Sequence, residues 1–295
     1  MSGDGVVTVP LRAHDERRDR PVAIDVWHPS GTGRVGGARP WPTVVLSHGA
    51  FGASINYAWL ATDLAAHGYL VAGVSHYGES FVYGPETIDP SVASDIGARA
   101  EDLSFALDHL LGDPDWSGRV DGARVGAVGH SSGGGTAVML AGGVFDAGAM
   151  QRYCLTGPAR ADRGCDYGAG LSGGDGQTRR LDPRIRAVVA LDPAFGPGFT
   201  AESLTEVAVP VRIVTAVDND FLPADAHAER YAALIPTSSV TRLGDGEGHF
   251  VFLDERDSDL DANGVPLFRD RPGVDRASVH RHVAPLVRAF FDAHL

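Results

Sequence analysis

Hydrophobic and polar positions follow two rhythms along this chain, and each change of rhythm marks an element. Residues 6–9 and 21–27 are short β-rich runs on either side of the charged turn 14–20, an antiparallel opening. Short runs dominated by Val, Leu and Ile follow at 43–47, 69–74, 124–128, 185–191 and 209–215, with a last one at 240–243. Between them, apolar residues recur at helical spacing over 57–67, where Gly68 stops the pattern, and over about 93–111, with Leu103, Leu107 and Leu110 on one face. Further helices are expected over 133–141, about 224–234 and about 277–294. Strand and helix in alternation predict an α/β fold, a doubly wound and mostly parallel sheet, in one domain spanning 1–295. Residues 142–181 break the rhythm, with many glycines and charges and no sustained period. They read as an irregular lid inserted into the domain.

Composition narrows the picture in a few places. With 295 residues and 43% hydrophobic content the chain can bury a large core. A net charge of -13, from 38 acidic against 25 basic residues, disfavours nucleic acid and anionic membrane surfaces as partners. No apolar run approaches the roughly 20 residues of a membrane span, and residues 1–5 have neither a basic nor an apolar leader region. A cytoplasmic location is the expectation, with a secreted mature form left open, as is the oligomeric state. The two cysteines, Cys154 and Cys165, match no zinc spacing and have no histidine between them. A loop-closing disulfide and a pair of reduced thiols both fit.

The chemistry concentrates at Gly129-His130-Ser131-Ser132-Gly133, a G-x-S-x-G pattern placed between the 124–128 strand and the 133–141 helix. A strand turning sharply into a helix holds a serine in strained geometry, so small flanking residues are needed where side chains would collide. The plain alternative is a tight turn in a chain with 38 glycines. Strand, turn and helix together favour Ser131 as a nucleophile. A serine hydroxyl needs a base within reach and a carboxylate to orient that base, in the chain order Ser, acid, His. His249, in the Gly-rich stretch 244–250 after the last strand, stands where the base belongs. The histidines at His14, His227, His280, His282 and His294 fall in expected surface helices or turns and read as solvated. An oxyanion hole takes two backbone amides, here assigned to Ser132 and to Ala50 in the loop 47–52, where Gly49 permits a close turn. His48 and His130 read as packing residues beside those loops.

The segments 47–52, 67–73, 129–134 and 248–250, with 19–29 at the opening strand, resemble α/β-hydrolases similar to dienelactone hydrolases and platelet-activating-factor acetylhydrolases, with bacterial polyester hydrolases as cousins. The likeness covers most of the chain and implies an α/β-hydrolase fold with a catalytic triad; some members carry a cysteine-containing insert where Cys154 and Cys165 stand. True dienelactone hydrolases use a cysteine where this chain has Ser131, which argues against dienelactone as substrate. Many relatives place the acid four residues before a proline, after the strand corresponding to 209–215. Counting back from Pro223 gives Asn219, between Asp218 and Asp220. The acetylhydrolases instead place it after the preceding strand, where this chain has Asp192. Asp192 is preferred, Asp218 is the alternative, and Asp220 stands behind both; an Asp-Pro turn is the plain reading of Asp192.

These residues point to cleavage of a carboxylic ester in a small molecule, through an acyl-enzyme on Ser131. An acyltransferase or cyclase using the same intermediate, and a non-catalytic binding protein on this scaffold, are the alternatives. Phe51, Tyr77 and Phe195, with the insert, are expected to shape the substrate pocket. Residues 257–264 resemble the start of a calcium loop but lack its sixth-place Gly and closing Glu, with Phe268 in the last place. Gly133 to Gly135 lack the Lys-Ser/Thr of a phosphate loop. No metal and no organic cofactor is expected.

Overall fold

Val44 and Val45 are neighbours in β3 (Trp41–Ser47), yet they bury against opposite layers of side chains. That period of two places one layer on each face of the central sheet. A computed structural model describes residues 5–31, 40–167 and 176–295. In chain order, β1 (Val6–Asp15) and β2 (Arg20–Pro29) form an antiparallel hairpin, and β3 is followed by α1 (Ala58–Ala66) and β4 (Leu70–Ser75). Next come α2 (Ile96–Gly112), β5 (Val120–His130) and α3 (Ser132–Leu140). The insert carries β6 (Val144–Asp146), α4 (Ala147–Cys154) and β7 (Gln177–Arg179). Alternation resumes with β8 (Ile185–Leu191), α5 (Ala201–Thr205), β9 (Val211–Ala216), α6 (Ala228–Leu234) and β10 (Ser238–Leu243). A small hairpin of β11 (Asp261–Ala262) and β12 (Val265–Pro266) precedes α7 (Arg276–His294).

The central sheet has eight strands in the order β1-β2-β4-β3-β5-β8-β9-β10. β2 runs antiparallel to both neighbours, and every pair from β4 to β10 is parallel. On one face Leu103, Leu107 and Leu110 of α2 and Val138 of α3 pack over Val45, Ala72 and Ala127. On the other, Leu60 and Leu64 of α1 and Val283, Val287 and Phe291 of α7 pack over Val44, Val71 and Val189. The predicted helical stripe on α2 is thus its buried face.

Parallel order has one decisive effect on the site. Ser47 pairs with Gly129 and His130 with Leu191, so β3, β5 and β8 end level with one another, with β9 beside them. The loops that follow meet at one edge, where an open α/β sheet keeps its ligands.

Several expectations shift in detail. β1 and β2 are longer than the expected 6–9 and 21–27 because the hairpin register continues from Val6↔Pro29 to Asp15↔Arg20. The helix expected over 224–234 begins only at Ala228, since 224–227 is taken up by turns in which the Ala226 and His227 amides donate to the Pro223 carbonyl. The insert is more regular than expected: β6 pairs antiparallel with β7, and Asp146 caps α4 by accepting the Ala149 amide at 2.8 Å. Residues 168–175 of the insert lie outside the described residues.

Cys154 and Cys165 are joined by a disulfide that spans 11 positions. Replacing both by serine is expected to cost up to about 3 kcal/mol, the chain-entropy value for a short loop. Urea unfolding measures the loss, and mass spectrometry of the unreduced native protein checks the crosslink itself.

Candidate active site

Ser131 is the residue between β5 and α3, with φ 55° and ψ −120°. This is a region a side chain rarely enters, and sequence explains how it is held. A Cβ on Gly129 would lie inside the Gly133 carbonyl, and one on Gly133 inside the Ser47 carbonyl. Both glycines of the motif are therefore required by close backbone approach. The Ser131 amide donates to the Leu191 carbonyl at 3.0 Å, and its carbonyl accepts the Ala194 amide at 2.9 Å. The turn is pinned to the loop after β8.

His249 begins a 3-10 turn, and its imidazole is wholly buried. Nδ1 donates to Asp192 Oδ2 at 3.0 Å. Asp192 follows β8 directly and takes φ 42°, another strained non-glycine position. Its Oδ1 accepts the Thr215 hydroxyl at 2.8 Å and the Ala216 amide at 3.1 Å. Asn219 Nδ2 donates to Oδ2 at 2.7 Å. Complete burial pushes the Asp192 carboxyl up, to about 7, against these donors, which pull it down. Burial likewise pushes His249 down, to about 3, so the imidazole rests neutral. With Nδ1 donating to the carboxylate, Nε2 is the acceptor nitrogen, and it is a buried atom left without a partner among the described residues. Ser131 Oγ is not hydrogen-bonded to it in this structure.

The two other acids lie elsewhere. Asp218 accepts the Gly246 amide at 3.2 Å, while Asp220 accepts the His249 backbone amide at 3.1 Å and pairs with Arg271 at 3.3 Å. Neither meets the imidazole edge. Asn219 stands where many relatives have a carboxylate and serves as a donor to Asp192; its Oδ1 accepts the Phe221 and Leu222 amides at 2.9 and 2.7 Å. That turn places the Phe221 ring over the imidazole, centroids 5.1 Å apart and planes 10° from parallel. The sequence named Asn219 only as a missing acid, and nothing in it signalled Phe221.

The loop after β3 is braced from behind. Neither the Ala50 nor the Ser132 amide has a protein acceptor among the described residues, so both are free to meet a developing negative charge. Phe51, at φ 57°, gives its amide to Glu79 Oε2 at 3.4 Å. Glu79 pairs at 2.6 Å with Arg99, and Arg99 Nη2 donates to the His48 carbonyl. Both charged side chains are buried, a placement that periodicity does not reveal.

His48 and His130 are packing residues with fixed tautomers. The His76 amide donates to His48 Nε2 at 3.0 Å, leaving Nδ1 to donate to the Gly49 carbonyl. The Gly49 amide donates to the Tyr57 hydroxyl at 3.0 Å, so that hydroxyl donates to His130 Nδ1 at 2.8 Å. His130 Nε2 then donates to the His249 carbonyl at 3.0 Å. One chain of bonds joins the loop after β3 to His249.

Above Ser131 is a cavity of about 560 Å³ lined by Phe51, Tyr167, Phe195, Phe221, Phe250 and Phe268 among others. Phe51 and Phe195 lie where expected, but Tyr77 does not reach the cavity. It packs edge-on against Tyr83 at 5.2 Å under the guanidinium of Arg20, because the loop after β4 turns it toward the opening hairpin. Two histidines read as solvated are also corrected. His227 is buried and donates from Nε2 to Asp162 of the insert at 2.7 Å while Nδ1 accepts the Gly196 amide, and His280 is buried against Trp59. His14, His282 and His294 are exposed as expected.

The whole architecture matches a solved structure, a ferulic acid esterase from Streptomyces cinnamoneus, with a TM-score of 0.62 over 99% of this chain and 89% of that one at 24% identity. The chain has the α/β-hydrolase fold. A family model described as platelet-activating factor acetylhydrolase, isoform II, matches residues 31–93 of the chain. The chain is 26% identical over 70% of its length to a bis(hydroxyethyl) terephthalate hydrolase of Streptomyces coelicolor, covering 52% of that protein. It is 25% identical over 66% of its length to a cutinase of Thermobifida alba, covering 48%. The chain therefore spans about half the length of these relatives.

The bond chain through Tyr57 yields a direct test on the α/β-hydrolase. Tyr57→Phe leaves the Gly49 amide and His130 Nδ1 without their partner in a buried site, and a loss of about 1–3 kcal/mol in urea unfolding is expected.

Proposed function

We propose that this α/β-hydrolase is a serine esterase that cleaves a neutral carboxylic ester of a small molecule through an acyl-enzyme on Ser131. The observation that carries the reading is the buried Asp192–His249 pair with Nε2 unpartnered, at the strand ends that also hold Ser131 and two free amides. The relatives named as a terephthalate ester hydrolase and a cutinase support ester chemistry, and the aromatic walls of the cavity suit an apolar or aromatic acyl group.

Ser131 Oγ attacks the ester carbonyl carbon while its proton passes to His249 Nε2, and the carbonyl oxygen takes the negative charge toward the Ala50 and Ser132 amides. Asp192 stabilises the imidazolium that results. Collapse breaks the bond to the alcohol oxygen, which leaves with the proton from Nε2. Water then gives a proton to Nε2 as its oxygen attacks the acyl carbon, and the acid departs when Ser131 recovers its proton.

Ser131→Ala and His249→Ala are each expected to lower turnover of an activated ester by at least roughly 10³-fold with the fold intact, since the triad acts as a unit. Near-normal turnover in either variant removes the assignment. For the acid, Asp192→Asn is expected to cost on the order of 10⁴ in kcat and Asp218→Asn far less. The reverse ranking, measured on one ester, would move the acid to the turn after β9.

A further inference from the structure

The cavity above Ser131 has a neighbour at its rim. A second cavity of about 380 Å³ lies beside it, and Asn56, Arg256 and Phe268 form a wall common to both. Beyond that wall are Trp59 and Ile55, the latter 43% exposed. Trp59 is a fixed platform. Its ring is stacked on His280 with centroids 4.0 Å apart and planes 4° from parallel, and its indole N–H donates to the Phe252 carbonyl at 2.8 Å. His280 is held in turn by the Val251 carbonyl at 2.8 Å. An aromatic face already fixed in place loses little freedom on binding a second ring.

The common wall offers donors. Asn56 is 8% exposed, and its Oδ1 accepts the Ala53 amide at 2.9 Å, which orients the side-chain amide. Nδ2 has no acceptor among the described residues, and a nearly buried donor gains from a ligand oxygen. Arg256 is exposed and in no ion pair among the described residues; its guanidinium lies 5.7 Å from the centroid of the Phe268 ring. Of the carboxylates nearby, Asp254 is engaged by the Ala58 and Trp59 amides at 2.7 and 3.0 Å. Glu255 lines the second cavity beside Arg256, and Asp261 lines the first, so among the described residues carboxylates outnumber the one guanidinium and the groove disfavours an anion while admitting a neutral ligand.

Direction follows from the order of release. The alcohol leaves while the acyl group stays on Ser131, so the acyl group belongs at the end closed by the buried Met150, Ala194 and Phe195. The alcohol belongs on the side of the second cavity. We propose that this groove is an alcohol-side subsite for an extended neutral ester, with an aromatic terminus on Trp59 and an ether or ester oxygen on Asn56 Nδ2 and Arg256. The proposal rests on the esterase reading of Ser131.

Methyl benzoate and 2-phenoxyethyl benzoate share an acyl group and differ only in an alcohol that reaches the groove. For the phenoxyethyl ester, kcat/KM is expected to fall roughly tenfold in Trp59→Ala and roughly threefold in Ile55→Ser, with the methyl ester within about twofold of the parent in both. Ile55 is exposed, so its variant decides the matter if Trp59→Ala fails to fold. Equal losses on both esters, or no response on either, overturn the groove while the esterase reading stands. If neither ester is hydrolysed and Ser131 is not labelled by a fluorophosphonate, the esterase reading falls and the groove with it.

Discussion

The site depends on keeping one carboxylate charged out of contact with water. Asp192 is 1% exposed, and an isolated carboxylate at such depth takes up a proton. Four hydrogen bonds oppose that outcome, from the Thr215 hydroxyl, the Ala216 amide, the Asn219 side chain and the His249 ring. Three of these donors come from β9 and the turn after it. The Asp192 carboxyl on one strand is thus held by donors from its neighbour, an arrangement set by the parallel pairing of β8 with β9. Local strain is the corollary. Asp192 and Ser131 both take positive φ, and each is fixed by backbone bonds reaching across strands, Asp192 to Val214 and Ser131 to Leu191.

The same constraint explains Asn219. A carboxylate at that position would lie beside Asp192 Oδ2, and two carboxylates at hydrogen-bonding distance do not both ionise. An amide supplies a donor at the same place without the charge. It also organises the turn that brings Phe221 over His249, so contacts of both Asp192 and His249 trace to one residue.

The sheet and most helices were legible because short Val-rich runs and a clean stripe at Leu103, Leu107 and Leu110 follow directly from burial on two faces or one. The turn that carries Ser131 was legible because close backbone approach demands glycine at 129 and 133. What stayed hidden has a different origin. Tyr77 was assigned to the pocket from its loop alone, and a loop fixes position without fixing where a side chain points. His227 and His280 looked solvated because helical spacing says nothing of partners distant in sequence, yet one meets Asp162 and the other Trp59. Arg99 and Glu79 were invisible for the same reason, as a buried charge is explained only by its counter-charge.

The roof of the cavity shows how such distant pairings divide labour. Its two parts come from separate excursions of the chain, the insert after α3 and the segment between His249 and α7. Asn263 of the second donates to Asp166 of the first at 3.2 Å, an exposed contact, whereas Asp162 is locked to His227 in the interior. A buried, doubly satisfied imidazole is far harder to break than an exposed amide bond whose partners can turn to water. The insert is therefore anchored at its base, and the contact between the two excursions is the weaker seam.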